Sequence, residues 1–220
     1  MTLLSDPHTD FTGLECGATI VRSDLDAGKL MLARTLAQVR FVDDYDFSLP
    51  LAFLDFDILV NRPLAWLFSR PFDVGVTVRN KRTMPVNGGV IFANNRNPTA
   101  VRRFFRQFAD LYQARYADEG AWWGDQRALD DVVPTAGMNV AGERSFNKDG
   151  IDYLVLPGSR FNYSPHWLRG TLGLPRRSKY VLHFKNAARK EFIEPFFAVH
   201  MDTEVGSWPL RLLRAYRSVG

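Results

Sequence analysis

Short apolar, β-branched runs alternate along this chain with longer stretches of helical periodicity. Gly17 to Val21 (GATIV) predicts a strand. Asp24 offers an N-cap to a helix reaching Val42, with Leu25, Leu32, Leu36 and Val39 apolar and Gly28 tolerated inside it. Leu51 to Leu54 is an apolar run of strand length, broken at once by Asp55-Phe56-Asp57. Pro63 suits the first turn of a short helix through Phe68. Val74 to Val78 and Val90 to Ala93 predict strands on either side of a polar loop around Asn80 to Asn87. The clearest helix runs from Thr99 to Tyr116. Asn97 caps it, Pro98 takes its first position, and Val101, Phe104, Phe105, Phe108, Leu111 and Tyr112 line one stripe. Tyr153 to Leu156 and Tyr180 to Phe184 predict strands, and Leu210 to Tyr216 a terminal helix with Arg211, Arg214 and Arg217 outward. The alternation predicts an α/β fold.

Composition narrows the class. With 220 residues, 46% hydrophobic and 24% charged, the chain is globular rather than disordered or coiled-coil, and large enough for one core. No internal repeat or linker divides it, so residues 1–220 are expected to form one domain. No apolar run approaches the roughly 18 residues of a membrane-spanning helix. Met1 to Asp10 has no apolar core of a secretory signal. Cys16 is the single cysteine and has no internal disulfide partner. These features predict a cytoplasmic protein. The formal charge of +4 permits an anionic ligand without requiring nucleic acid. Arg102 to Arg106 follow helical spacing and need no nucleic acid to explain them. No Walker loop, G-x-G-x-x-G, C-x-x-C, H-E-x-x-H or G-x-S-x-G motif occurs.

Four segments carry candidate chemistry. In Leu54-Asp55-Phe56-Asp57-Ile58-Leu59, two carboxylates sit where an apolar strand ends, the side on which open α/β sheets bind ligands. Close anions repel and are costly to desolvate, which a shared divalent cation would relieve; a surface turn or N-cap is the plainer alternative. Asn87-Gly88-Gly89 is either a tight turn before a strand or a place where backbone approaches a ligand with no Cβ in the way. In Trp122-Trp123-Gly124-Asp125-Gln126, Asp125 either caps a short helix or joins Gln126 in presenting polar groups to a polyhydroxylated substrate. His183, leaving a strand ahead of Lys185, Arg189 and Lys190, is either a satisfied core histidine or the last ligand of a metal facing a diphosphate-neutralising cluster.

Taken in order, LDFDILV, FDVGVTVR, NGGVIF, GDQRAL and HFKNAARK resemble GT-A-type nucleotide-sugar glycosyltransferases, in particular the glycogenin-like families and related bacterial and phage enzymes. The resemblance spans Leu30 to Phe192. It implies a GT-A-like mixed sheet flanked by helices. It also implies that Asp55, Asp57 and His183 hold Mn²⁺ or Mg²⁺, with Asp57 the stronger ligand and Asp55 nearer the donor sugar or ribose. By the same resemblance Lys185 and Lys190, or Arg189, contact the diphosphate, and Asn87, Gly88 and Gly89 line the sugar and acceptor side. Asp125 and Gln126 would hold sugar hydroxyls near the anomeric carbon. Arg34 and Arg79 are further donor contacts.

The chain departs from that pattern in two places. Only 54 residues precede Asp55, so residues 1–29 are expected to be a shortened first βα unit, and the nucleobase pocket is the part affected. Asn186 stands where a glycine is common. Residues 193–220 would form a C-terminal extension. The reading that follows is metal-dependent transfer of a sugar from a nucleoside-diphosphate donor, expected to be a UDP-sugar, with retention of configuration. The acceptor, whether glycan, protein, small molecule or DNA, is not specified. The alternatives are a non-catalytic or truncated nucleotide-sugar- or metal-binding relative, and a sugar-1-phosphate nucleotidyltransferase, which would need a Gly-rich loop that Met1 to Gly17 lacks.

Overall fold

The structure is a computed structural model and describes residues 1–12, 17–24, 26–81, 83–118, 123–135, 141–165, 178–185 and 190–200. The first two strands, β1 (Thr2–Ser5) and β2 (Thr19–Arg22), pair parallel as a separate two-stranded unit. Helix entry comes later than the pattern predicts. Asp26, not Asp24, accepts from the Gly28 backbone N–H and caps a single 3₁₀ turn, Ala27–Lys29, that leads into α1 (Leu30–Asp44). Gly28 thus sits in the tight entry turn and not inside the helix.

The main sheet has five strands in the order β3 (Leu51–Leu54), β6 (Val86–Ala93), β5 (Val74–Val78), β8 (Ile151–Pro157) and β7 (Arg144–Lys148). Within this sheet, among the described residues, β5–β8 is the one parallel pair. Central strands bury both faces, which is why the stretches Val74–Val78, Val90–Ala93 and Tyr153–Leu156 of β5, β6 and β8 are almost wholly apolar. Ile91, Ala93, Tyr153 and Val155 face α1, α2 (Pro98–Arg115) and α3 (Gly124–Val132). Val90, Phe92, Leu154 and Leu156 face a second cluster with Leu67, Phe72, Phe161 and Val181. The α2 stripe behaves as expected: Asn97 accepts from the Ala100 N–H, and Phe104, Phe105 and Phe108 are fully buried. Each contributes roughly 1.5–3 kcal/mol of apolar burial.

Three features depart from the pattern. The segment after Pro63 forms only a 3₁₀ turn, Ala65–Ser69, in place of the expected short helix. Ile58 to Val60 does not trail away from the sheet but forms β4, paired antiparallel with β9 (Val181–His183). Strand β6 begins at Val86 and not at Val90, so the Asn-Gly-Gly segment lies inside a strand and not in a loop. The Gly158–Phe161 turn (α4) follows β8, and α5 (Ile193–His200) closes the described chain. Leu210 to Tyr216 lies outside the described residues.

Candidate functional site

The candidate side chains gather at one edge of the main sheet, where β3 and β5 end and β6 begins. Register explains the convergence. Ile58 pairs with His183, and the Phe184 N–H donates to the Asp57 carbonyl at 2.9 Å, so the ends of β4 and β9 set Asp57 beside His183. Asp55 leaves β3 next to Gly89 of β6, and its N–H donates to the Gly89 carbonyl at 3.0 Å. His183 Nε2 lies 3.0 Å from Asp57 Oδ1 and 3.6 Å from Asp55 Oδ2. One ligand atom from each of the three residues falls within 4.8 Å of the others, an arrangement that could hold a metal ion. Carboxylate oxygens with one imidazole suit a hard or borderline divalent cation.

The glycines make room for it. Between Val76↔Ile91 and Thr77↔Asn87 the β5–β6 register shifts, so Gly88, Gly89 and Val90 bow out of that pairing. A Cβ on Gly89 would stand 2.5 Å from both Asp55 Oδ2 and His183 Cε1, and one on Gly88 would crowd Asp125 Oδ2, Leu129 and Arg34 at 3.1–3.3 Å. Glycine is required here for close approach.

A second group adjoins the first. Arg34 of α1 donates to Asp55 Oδ1 at 2.6 Å and to Asp125 Oδ2 at 2.7 Å, joining the D-x-D loop to the start of α3. Trp123, not Asp125, occupies the N-cap position of α3, and the Asp125 side chain turns into the protein. Burial raises the Asp125 pKa against the opposing pull of Arg34. Among the described residues its Oδ1 is buried without a hydrogen-bond partner, as are Arg34 Nε and Arg79 Nε. Gln126 accepts from Arg79. Trp122 lies outside the described residues.

Cations surround the carboxylates. Lys190 Nζ lies 3.6 Å from Asp57 Oδ2 and 4.1 Å from the ring centroid of Phe56, which is 87% exposed between the two aspartates. Burial, helped by Arg79, lowers the Lys185 pKa to about 8 even though Asp55 and Asp57 oppose the shift. For Asp57, burial pushes the pKa up, but the hydrogen bond and charge of His183 together with Lys190 outweigh it and the net direction is down. Arg189 lies outside the described residues.

Asn87 turns inward, and with it comes a residue that the sequence did not single out. Asn162, buried just after α4, donates through Nδ2 to Thr77 Oγ1 and Asn87 Oδ1, both at 2.8 Å, while its Oδ1 lies 2.9 Å from His183 Nδ1. Its only signal in the sequence is one amide between two aromatic residues. A cavity of about 590 Å³ lies elsewhere, between the β1–β2 unit and α1, lined by Arg22, Asp24, Arg40, Phe41 and Tyr45 among others, and none of the expected site residues borders it.

No family model and no curated protein matches the chain. The solved structure of a glycosyltransferase involved in glycosylating the major capsid of PBCV-1 matches 88% of this chain and 98% of its own, at a TM-score of 0.53 and 14% identity. The fold is GT-A-like. A second structure, the apo form of the glycosyltransferase GlyE from Streptococcus pneumoniae TIGR4, is 16% identical over 93% of this chain and half of its own, with a TM-score of 0.46 that is too low to bear on the fold. No described helix is long and apolar enough to cross a membrane.

Proposed function

We propose that the protein is a metal-dependent glycosyltransferase that moves a sugar from a nucleoside-diphosphate donor, a UDP-sugar, to an acceptor. The observation that carries this reading is the convergence of Asp55, Asp57 and His183 over Gly89, at the strand ends of a GT-A-like sheet. Mn²⁺ or Mg²⁺ fits that cradle, and supplies positive charge against the donor diphosphate. Lys185 and Lys190, with Arg189 where it follows in sequence, add to the charge offered to the departing nucleoside diphosphate. Lys190 already touches Asp57. The Asp125 carboxylate, held by Arg34 and with its other oxygen unbonded among the described residues, and the Gln126 amide beside Arg79 have the polar groups to fix sugar hydroxyls near the anomeric carbon. Gly88 and Gly89 keep the floor of that space open, and Arg34 and Arg79 set the two acidic and amide groups in place. Retention of configuration belongs to the same reading.

A second reading, donor binding without transfer, is favoured by the first two strands: among the described residues β1 pairs only with β2 and adds nothing to the main sheet. One experiment separates the two. Melting curves with Mn²⁺ and UDP, GDP, CDP or UDP-sugars, on wild type and Asp57→Ala, should show stabilisation of roughly 2.7 kcal/mol for the right nucleotide at about 100 times its Kd. The shift should vanish in the variant. Slow metal-dependent hydrolysis of the UDP-sugar accompanying that shift identifies the enzyme, binding without any turnover identifies the second reading, and no shift with any nucleotide removes both.

A further inference from the structure

The amide chain behind His183 fixes which ring nitrogen must carry a hydrogen. The Gly89 backbone N–H donates to the Asn87 side chain at 3.2 Å, and a peptide N–H can only donate, so the receiving atom is Asn87 Oδ1. The Asn162 atom facing that oxygen must then be a donor, Nδ2. The same nitrogen also meets Thr77 Oγ1, whose hydroxyl is left to point at the Asn87 carbonyl 3.4 Å away. Asn162 Oδ1 is therefore the atom turned to His183, and it can only accept. His183 Nδ1 must carry a hydrogen. Nε2 is the other ring nitrogen, and it faces Asp57 Oδ1 and Asp55 Oδ2, where a metal ion would take its lone pair. All four members of the chain are buried, so water does not offer an alternative partner at low cost.

We propose that Asn162 is the positioning residue of the metal seat: it holds His183 in the Nδ1–H form, with Nε2 aimed between the two aspartates, and ties that ring to the bowed Asn87-Gly88-Gly89 segment. The inference rests on the metal-binding reading above. A ligating histidine whose far nitrogen donates to a fixed acceptor is oriented before the ion arrives, and loss of such a partner lowers metal affinity by about 10–100-fold. The chain also explains why Asn87 faces inward, since its side-chain oxygen receives both the Gly89 N–H and the Asn162 amide.

The test reads the ring directly and needs no substrate. Long-range ¹H–¹⁵N spectra should resolve His183 among only four histidines, with His183→Gln giving the assignment. Nδ1 is expected to carry a hydrogen in the metal-free protein and with Mg²⁺ bound; a bare Nδ1 in either would overturn the proposal. Mn²⁺ binding, followed by electron paramagnetic resonance, should weaken about 10–100-fold in Asn162→Leu and clearly less in Asn162→Gln, which keeps an amide acceptor for Nδ1–H and an amide donor for Asn87. Unchanged affinity in Asn162→Leu, or an equal loss in both variants, would mean that Asn162 only fills space. If the leucine variant fails to fold, the wild-type tautomer still decides. If wild type binds no divalent ion at all, the proposed function falls, while the metal-free spectrum separately tests Asn162.

Discussion

Arg34 spans two carboxylates that would otherwise sit badly in the protein. Asp125 is almost fully buried, and its one hydrogen-bonded oxygen receives Arg34, whose other terminal nitrogen meets Asp55. Removing one partner of a buried ion pair costs about 3–5 kcal/mol, because the remaining charge is stranded. The Arg34 side chain keeps 24% of its surface in water, so solvent will screen part of that loss. Arg34→Met should therefore destabilise the protein by about 2–4 kcal/mol in urea unfolding at neutral pH. Adding Asp125→Asn removes the stranded charge and should recover about half or more of the loss. A double variant whose loss equals the sum of the two singles would show that the pair is not coupled as the 2.7 Å contact implies.

At the scale of elements, β6 does most to build the site, because its bow at Gly88 to Val90 lets side chains from α1, β3, α3 and β9 meet above backbone. Gly89→Ala places a methyl 2.5 Å from both Asp55 Oδ2 and His183 Cε1, so either the carboxylate or the ring must move. The expected outcome is a loss of Mn²⁺ affinity of about 10-fold or more, with an overpacking cost to stability of about 1–3 kcal/mol. Calorimetry with the ion alone checks it, and wild-type affinity would mean the cradle is slack. This element also shows where the sequence was legible and where it was not. Strands β5 and β8 and helix α2 announce themselves because burial dictates most residue types along them, while β3 reads as a strand from its apolar composition although Ala52 and Leu54 stay exposed. The Asn-Gly-Gly segment carries the same composition whether it turns or bows within a strand, so local chemistry alone placed it in a loop. Strands β4 and β7 went unread for a related reason: three residues beside an acidic pair, and the polar, half-exposed run Arg144–Lys148, take their pairing from distant partners. Asp55, Asp57 and His183 stood out as residue types, and the structure brings them together. The Asn162 link could not be read, because a lone amide acquires meaning only through what it touches on three strands, 21 to 85 residues away.

For the whole molecule, the sheet sits between two apolar layers, so a charge forced into either layer is felt by the fold as a unit. Tyr153 tests this. It lies in β8 on the helix-facing side, stacked on Phe146 at 5.1 Å and edge-on to Phe104 at 6.0 Å. Burial, reinforced by the charge of Asp149 and only partly offset by Arg103, pushes its hydroxyl up to about 12 from an ordinary value of 10.0. Below pH 10 the tyrosine is neutral in both folded and unfolded chains and contributes no pH dependence. Between pH 10 and about 12 the unfolded chain has released the proton and the folded chain has kept it. The unfolded state then binds fewer protons, and stability falls as pH rises through that window. A shift of this size corresponds to a loss of about 3 kcal/mol once both states are ionised. Tyr153→Phe keeps the ring contacts and removes the titration, so its urea midpoint should correspond to wild-type stability within about 1 kcal/mol at about pH 8 and exceed it at about pH 11. Tyr112, also raised by burial, leaves a residual alkaline slope in both proteins. Parallel pH profiles for the two would place the alkaline weakness elsewhere and show that the Tyr153 hydroxyl reaches solvent without opening the sheet.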